Sequence, residues 1–245
     1  MREFAPRVRM KRIVCVIAIF ITALSVLPTC VRAHCPQPEI RASGEYYQSD
    51  VVFTGTVIQG SYSAAAGGGY RLRVSRIFKG PVQKEFNVST DSDNSRFPLD
   101  KGRTYLLFAY KGARGLEINS CGNSDLLSKA AKSVRTIENL PHAPPFGVIE
   151  GWVLREIEGW VGPADHTDFS GIRVTVTGQS RNYAAVTDKN GRFHFRAPVG
   201  RYEVDFSLGE YYPDDDSLWY DPHGFDLHAG ETASLLVVST RHLAK

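Results

Sequence analysis

Several features are missing from this chain of 245 residues. It has no H-E-x-x-H pattern, no G-x-S-x-G elbow and no Walker-type phosphate loop, so the standard hydrolase and phosphate-binding templates are absent. Apart from one run near the N-terminus, no apolar stretch approaches the ~20 residues that span a bilayer. Cysteine is scarce, with four against 22 glycines and 13 prolines. The formal charge is only +3 and residues 1–33 account for it, with six Lys/Arg and one acid. Residues 34–245 then hold 29 − 6 = 23 basic and 26 − 1 = 25 acidic side chains, a net of −2, which argues against a nucleic-acid partner.

What is present begins with a leader. Arg2, Arg7, Arg9, Lys11 and Arg12 precede an apolar run that starts at Ile13 and continues to Leu27, the order of a signal peptide's basic and hydrophobic regions. Val31-Arg32-Ala33 suits signal peptidase, and cleavage after Ala33 leaves His34 as the mature N-terminus. The expected protein is secreted or periplasmic, with no stable membrane span after cleavage; an N-terminally membrane-anchored form is the rival. A lipid on Cys30 fits poorly behind Pro28 and Thr29.

Cys15 and Cys30 leave with the leader, so Cys35 and Cys121 remain. Two thiols in an oxidising compartment most simply make one disulfide. Closing a loop of that length constrains the unfolded chain by about 4 kcal/mol.

The chain divides at residues 141–146. Pro141, Pro144 and Pro145 fix φ and remove backbone donors there, and the charge balance changes sign across them. Residues 34–140 hold 14 basic and 10 acidic side chains, and 141–245 hold 9 and 15. The expected domains are therefore 34–140 and 147–245, joined by a proline-rich linker.

In the first domain, residues 50–58, 70–78, 85–90, 104–110 and 115–119 are rich in β-branched and alternating residues and read as five strands, enough for a small closed barrel. The run Ala64-Ala65-Ala66-Gly67-Gly68-Gly69 reads as a hairpin connection. After Cys121 the period changes: Ser124 is placed to cap a helix whose apolar positions are Leu127, Ala130, Val134 and Ile137. In the second domain, strands are expected at 147–154, 172–177, 183–186, 192–195, 202–206 and 234–239, with a hairpin turn at Thr187-Asp188-Lys189-Asn190-Gly191 and Phe193 and Phe195 facing the core. The fold class is mainly β: an OB-type five-stranded barrel with a C-terminal helix, plus an Ig/transthyretin-like β-sandwich.

Two resemblances follow from the order of these residues. Cys35, Tyr47-x-x-Asp50-Val51-Val52-Phe53-x-Gly55-x-Val57, Val74-x-x-Ile77-Phe78-Lys79-Gly80, Gly102-x-x-Tyr105-Leu106-Leu107-Phe108 and Cys121 together resemble the netrin-like domain of tissue inhibitors of metalloproteases. That resemblance implies an OB barrel with a trailing helix and raises inhibition of a metalloprotease through the mature N-terminus. Such inhibitors chelate the protease zinc with an N-terminal cysteine followed two residues later by another; here Cys35 stands without the second and behind His34. The second half, with Gly151-x-Val153, Gly171-x-x-Val174-x-Val176-x-Gly178, Thr187-Asp188-x-x-Gly191-x-Phe193-x-Phe195 and Gly200-x-Tyr202-x-Val204, looks like a carboxypeptidase regulatory-like, transthyretin-type sandwich, similar to carbohydrate-binding folds.

Candidate sites are few. Tyr211, Tyr212, Asp214, Asp215, Asp216, Trp219 and Tyr220 concentrate aromatics and carboxylates in one segment, a possible binding loop for sugar rings or calcium. A solvated loop with its aromatics tucked into the sandwich edge is the alternative. Trp152 and Trp160 flank another such segment. A terminal His34 could chelate copper through its amine and imidazole, although no second ligand is identifiable. The other histidines, His142, His166, His194, His223, His228 and His242, are too scattered to suggest zinc. No catalytic residues and no cofactor are expected. The leading expectation is an exported, non-enzymatic binding protein for a protein or glycan ligand. The alternatives are a metalloprotease inhibitor and an enzyme with an unrecognised site, for instance Asp215, Asp221 and His223.

Overall fold

Alternating apolar residues build the second half of the chain. In residues 192–198 every second side chain is apolar, and the strand they form buries Phe193, Phe195 and Ala197 while Arg192, His194 and Arg196 stay exposed. The structure is a computed structural model that describes residues 40–63, 67–90, 97–119, 121–155, 170–179, 181–207, 211–213 and 224–241. All of these lie in one compact unit, His34–Lys245.

The first half is a closed barrel of β1 (Val51–Ser63), β2 (Gly67–Lys79), β3 (Glu85–Thr90), β4 (Thr104–Gly112) and β5 (Gly115–Ile118). The strand order is β1-β2-β3-β5-β4, and β4 returns to pair with β1, so the sheet closes as the expected OB-type barrel. The β3–β5 pairing is parallel and the others are antiparallel. Phe53, Leu72, Phe86, Tyr105 and Leu107 fill the interior. β4 is buried on both faces, because its outward Leu106 and Phe108 pack with Val52 beneath Ala130 and Ile137 of a helical segment.

That segment differs in detail from expectation. Helix α2 begins only at Ala131 and runs to Asn139, and no side chain caps its N-terminus. Ser124 is buried and its Oγ instead accepts the Phe108 N–H at 2.9 Å, while Asp125–Leu126 form a two-residue strand, β6, against β4. Ser124 lies well ahead of Ala130, which occupies the N-cap position, and so does not cap this helix. The helix gives way to a 3₁₀ turn over Leu140–His142 with Pro141 near its start, where a missing N–H costs nothing.

A further helix, α1 (Ala42–Gln48), was not anticipated. Its sequence, ASGEYYQ, has no apolar period, and tertiary contacts hold it. Lys79 Nζ donates to the carbonyls of Tyr46 and Tyr47 at 2.9 and 2.7 Å, satisfying its C-terminal end. On its other side, Tyr47 stacks on His228 at 4.2 Å and donates to Ala229 O at 2.9 Å, the Thr232 N–H donates to Ser43 Oγ at 3.1 Å, and Arg41 pairs with Glu150 at 2.8 Å.

The partners of those contacts belong to a sandwich of β7 (Phe146–Arg155), β8 (Arg173–Gly178), β9 (Asn182–Val186), β10 (Arg192–Pro198), β11 (Gly200–Ser207), β12 (Tyr211–Pro213), β13 (Phe225–Leu227) and β14 (Thr232–Arg241). One sheet has the order β10-β7-β14-β12 and the other β13-β11-β8-β9. Ile149, Val153, Val174, Val176, Phe193 and Leu235 lie between them.

The turn at 187–191 forms, but it does not make a hairpin. β9 pairs with β8 and β10 with β7, so the chain crosses from one sheet to the other. Asp188 Oδ1 accepts the Asn190 and Arg192 N–H groups at 2.8 and 3.0 Å, donors that hold its carboxyl below the usual range. Gly191 has φ +69°, and a β-carbon there would stand 2.6 Å from Val153 O. Gly191→Ala should therefore cost about 2 kcal/mol, read as a lowered midpoint in thermal unfolding.

Candidate functional site

The two longest strands of the described residues create a groove of about 580 Å³ on the outer face of the barrel. β1 and β2 are 13 residues each and their pairing slips at three points, the last between Val57 and Gln59, which bends the ribbon. Beyond that bend, the outward side chains fall into two rows across three strands. Gln59 pairs with Arg71 and Arg71 with Asn87; Ser61 pairs with Gly69 and Gly69 with Ser89. Arg114, in the turn between β4 and β5, stands at the rim.

Glycine makes the hollow. A β-carbon at Gly69 would meet nothing within 4 Å, so the middle of the second row is open space between serines. Gly60 has a different role, since a side chain there would collide with the Tyr70 ring. Tyr70 and Val88 form the floor from the barrel side, and among the described residues the buried hydroxyls of Tyr62, Tyr70 and Thr90 find no hydrogen-bond partner.

The groove offers donors and acceptors with little net charge. Arg71 Nε lies 3.8 Å from Glu85, and Arg114 Nε lies 3.5 Å from Glu117, whose Oε1 also accepts the Arg114 N–H at 3.0 Å. Both guanidiniums are about half exposed, so these ion pairs are weak, and Arg71 keeps donors for a ligand. The described lining residues include no carboxylate, imidazole or thiol. What these described residues offer a ligand is hydrogen bonding.

The residues singled out from sequence are not gathered here. Tyr211 and Tyr212 lie in β12, paired with Arg241 and Thr240 of β14. Asp214, Asp215, Asp216, Trp219, Tyr220, Asp221 and His223 lie outside the described residues, as do His34, Cys35 and Trp160. Cys121 follows β5 in a turn, its N–H donating to Asn119 Oδ1 at 2.8 Å. Among the described residues, no group of three or more His, Cys, Asp and Glu could hold a metal ion, and no helix is long and apolar enough to cross a membrane. The groove residues had one available signal: a glycine triplet entering an alternating strand marks a place where something approaches the backbone closely.

Comparison with known proteins adds little to this geometry. No family model matches the chain, and no curated protein does either. Among solved structures it is similar to a DUF3823 family protein from Parabacteroides merdae, at 13% identity over 40% of this chain and 47% of that one, with a TM-score of 0.24. It is also similar to the Bacillus anthracis TIE protein, at 11% identity over 78% of this chain and 31% of that one, with a TM-score of 0.30. A third likeness is to a bacterial adhesin from Mobiluncus mulieris, at 10% identity over 79% of this chain and 85% of that one, with a TM-score of 0.25. The chain spans less than half the length of the first two. Likenesses this distant carry no argument about function, which has to come from the chain's own residues.

Proposed function

We propose that this chain is an exported, non-enzymatic binding protein that takes a hydroxyl-rich ligand, a glycan, on the outer face of its barrel. The observation that carries the reading is the groove's position and chemistry together. It lies across β2 and β3 with the β4–β5 turn at its rim, the face on which OB barrels hold oligosaccharides and oligonucleotides. Its walls supply amide, hydroxyl and guanidinium groups that match sugar hydroxyls, and its described lining residues include no carboxylate pair of the kind that glycoside cleavage uses.

Export rests on the basic and apolar leader, and on a Cys35–Cys121 disulfide that we place in an oxidising compartment. Cys121 is not without a partner. Asn123, two residues beyond it, donates through Nδ2 to Ile40 O at 2.7 Å, which brings the chain just after Cys35 close to Cys121. The closed barrel with a trailing helix suits a netrin-like domain at 34–140, and the two-sheet sandwich suits a carboxypeptidase regulatory-like domain at 147–245.

The test is calorimetric titration of the secreted protein with neutral hexasaccharides of glucose, xylose, mannose and N-acetylglucosamine. At least one should bind, and Arg71→Ala should weaken it about 10-fold or more, the loss of a charge-assisted hydrogen bond. Gly69→Trp fills open space without a backbone penalty, so it should abolish binding while leaving the melting temperature unchanged. Binding of none of the sugars, or binding indifferent to both substitutions, would overturn the reading. Edman sequencing of the exported material should begin at His34.

A further inference from the structure

A second surface, on the sandwich, has a different chemistry. β10 is the edge strand of its sheet, and its outward side chains pair row by row with those of β7: Pro198 with Phe146, Arg196 with Val148, His194 with Glu150, and Arg192 with Trp152. The Arg192 guanidinium lies over the Trp152 ring at 5.3 Å and the Arg196 guanidinium over Phe146 at 5.1 Å. Phe146 is 40% exposed despite its size. Among the described residues no carboxylate pairs with either guanidinium, and the one acid within the rows, Glu150, is already paired with Arg41. Beside the Trp152 row a cavity of about 380 Å³ opens, lined also by Val186, which is 60% exposed, and by Asp188, whose Oδ1 is occupied by backbone N–H groups.

We propose that this face of β7 and β10 is a binding strip for an anionic polysaccharide, a glycan chain bearing uronic acids. Charge complementarity selects the occupant. Residues 141–245 carry 15 acids against 9 bases, yet this strip gathers on one edge strand an imidazole and two guanidiniums that make no salt bridge to a carboxylate among the described residues. Alternation spaces Arg192, His194 and Arg196 by ~7 Å, so the three basic groups follow an extended chain. The cation–π contact restrains each guanidinium before any ligand arrives, which lowers the ordering cost of a bidentate bond to a carboxylate. The aromatic rings at the two ends add apolar surface beside the guanidiniums, Phe146 most of all. A duplex nucleic acid carries a phosphate every ~3.4 Å per strand and favours dense Lys/Arg without an intervening acid, so sparse charge beside Glu150 suits it poorly.

The strip and the barrel groove are separate surfaces, and the experiment keeps them apart. Affinity electrophoresis of the secreted protein in gels containing polygalacturonate should show retardation that weakens as salt rises, while a neutral galactan causes none. Arg192→Glu with Arg196→Glu should reduce the affinity about 100-fold, because two attractive contacts become repulsive. Arg192→Gln with Arg196→Gln, which only removes charge, should give a smaller loss and guards against misfolding in the reversed variant. Asn87→Ala, in the barrel groove, should leave retardation unchanged. Equal retardation by the neutral galactan, wild-type binding by both double variants, or tighter binding to duplex DNA than to polygalacturonate would overturn the proposal.

Discussion

Replacing Glu45 with alanine is expected to cost about 4 kcal/mol and to be the most damaging single polar substitution among the described residues. Glu45 is fully buried in α1, and its carboxylate accepts the Asn123 backbone N–H, Asn123 Nδ2 at 2.6 Å and the Tyr110 hydroxyl at 3.1 Å. Alanine would strand all of those donors in a dry site. It would also release the contact that ties α1 to the segment after Cys121. Glu45→Gln is the informative comparison, because its amide oxygen can still accept from Asn123 while its Nε2 donates to Tyr110 Oη.

Burial raises the Glu45 pKa above the ordinary 4.5, against the smaller opposing pull of its Asn123 and Tyr110 hydrogen bonds. A folded-state pKa above the unfolded value means that the native protein binds the proton more tightly. Stability should therefore fall as pH rises from the unfolded value through the folded one, and level off beyond it. Glu45→Gln should lose that slope, so its stability relative to the parent should improve with pH across the window. Urea denaturation at a series of pH values from about 4 to 8 measures both effects. A parallel pH dependence in the two proteins would show that the carboxyl ionises as freely in the native state as in the unfolded chain.

The strands were legible wherever a period of two met a half-buried face. The 85–90 strand has the expected limits, and Phe193 and Phe195 face the core as their alternation required. Connectivity was less legible, because a turn is a local property and sheet membership is not. Thr187–Gly191 has the residues of a hairpin and makes the turn, yet burying Phe193 and Phe195 between two sheets sends β10 to β7 rather than back to β9. Ser124 illustrates the same limit at a single side chain: it suits a helix cap, but the buried Phe108 amide claims it. α1 was invisible because its stability resides in Glu45, Tyr47 and Lys79, whose partners lie far away in sequence.

The binding surfaces were hidden for a related reason. Gln59, Arg71 and Asn87 are ordinary outward residues on three separate strands until the register aligns them in one row. Arg192 and Trp152 likewise become a cation–π pair only through the β7–β10 register. Aromatic and acidic clustering pointed instead to Tyr211–Tyr220, because composition finds residues adjacent in sequence and a sheet face is assembled from residues that are not.

The other large effect is expected at Phe108. Phe108→Ala should cost about 4 kcal/mol, the range for emptying a fully buried aromatic site. Its neighbour Leu107, also fully buried, should cost about 3 kcal/mol as alanine. Consecutive residues in a strand point to opposite faces, so two adjacent large costs mean that β4 is packed on both. The two substitutions should nevertheless differ in where they loosen the protein. Leu107 faces Phe53 and Leu72 inside the barrel, whereas Phe108 faces Ala130 and Ile137 outside it, with Tyr46 of α1 in the same cluster. Hydrogen exchange should therefore show Phe108→Ala opening α1 and α2 while the β1–β2 ladder keeps its protection, and Leu107→Ala exposing that ladder. Because α1 also carries Tyr47 onto His228 and Ala229, opening it in the Phe108 variant should raise exchange at 228–232 as well. If instead the β1–β2 ladder lost protection to the same extent in both variants, the helices and the barrel would unfold as a single cooperative unit, and the outer cluster could not be the separate layer that its contacts describe.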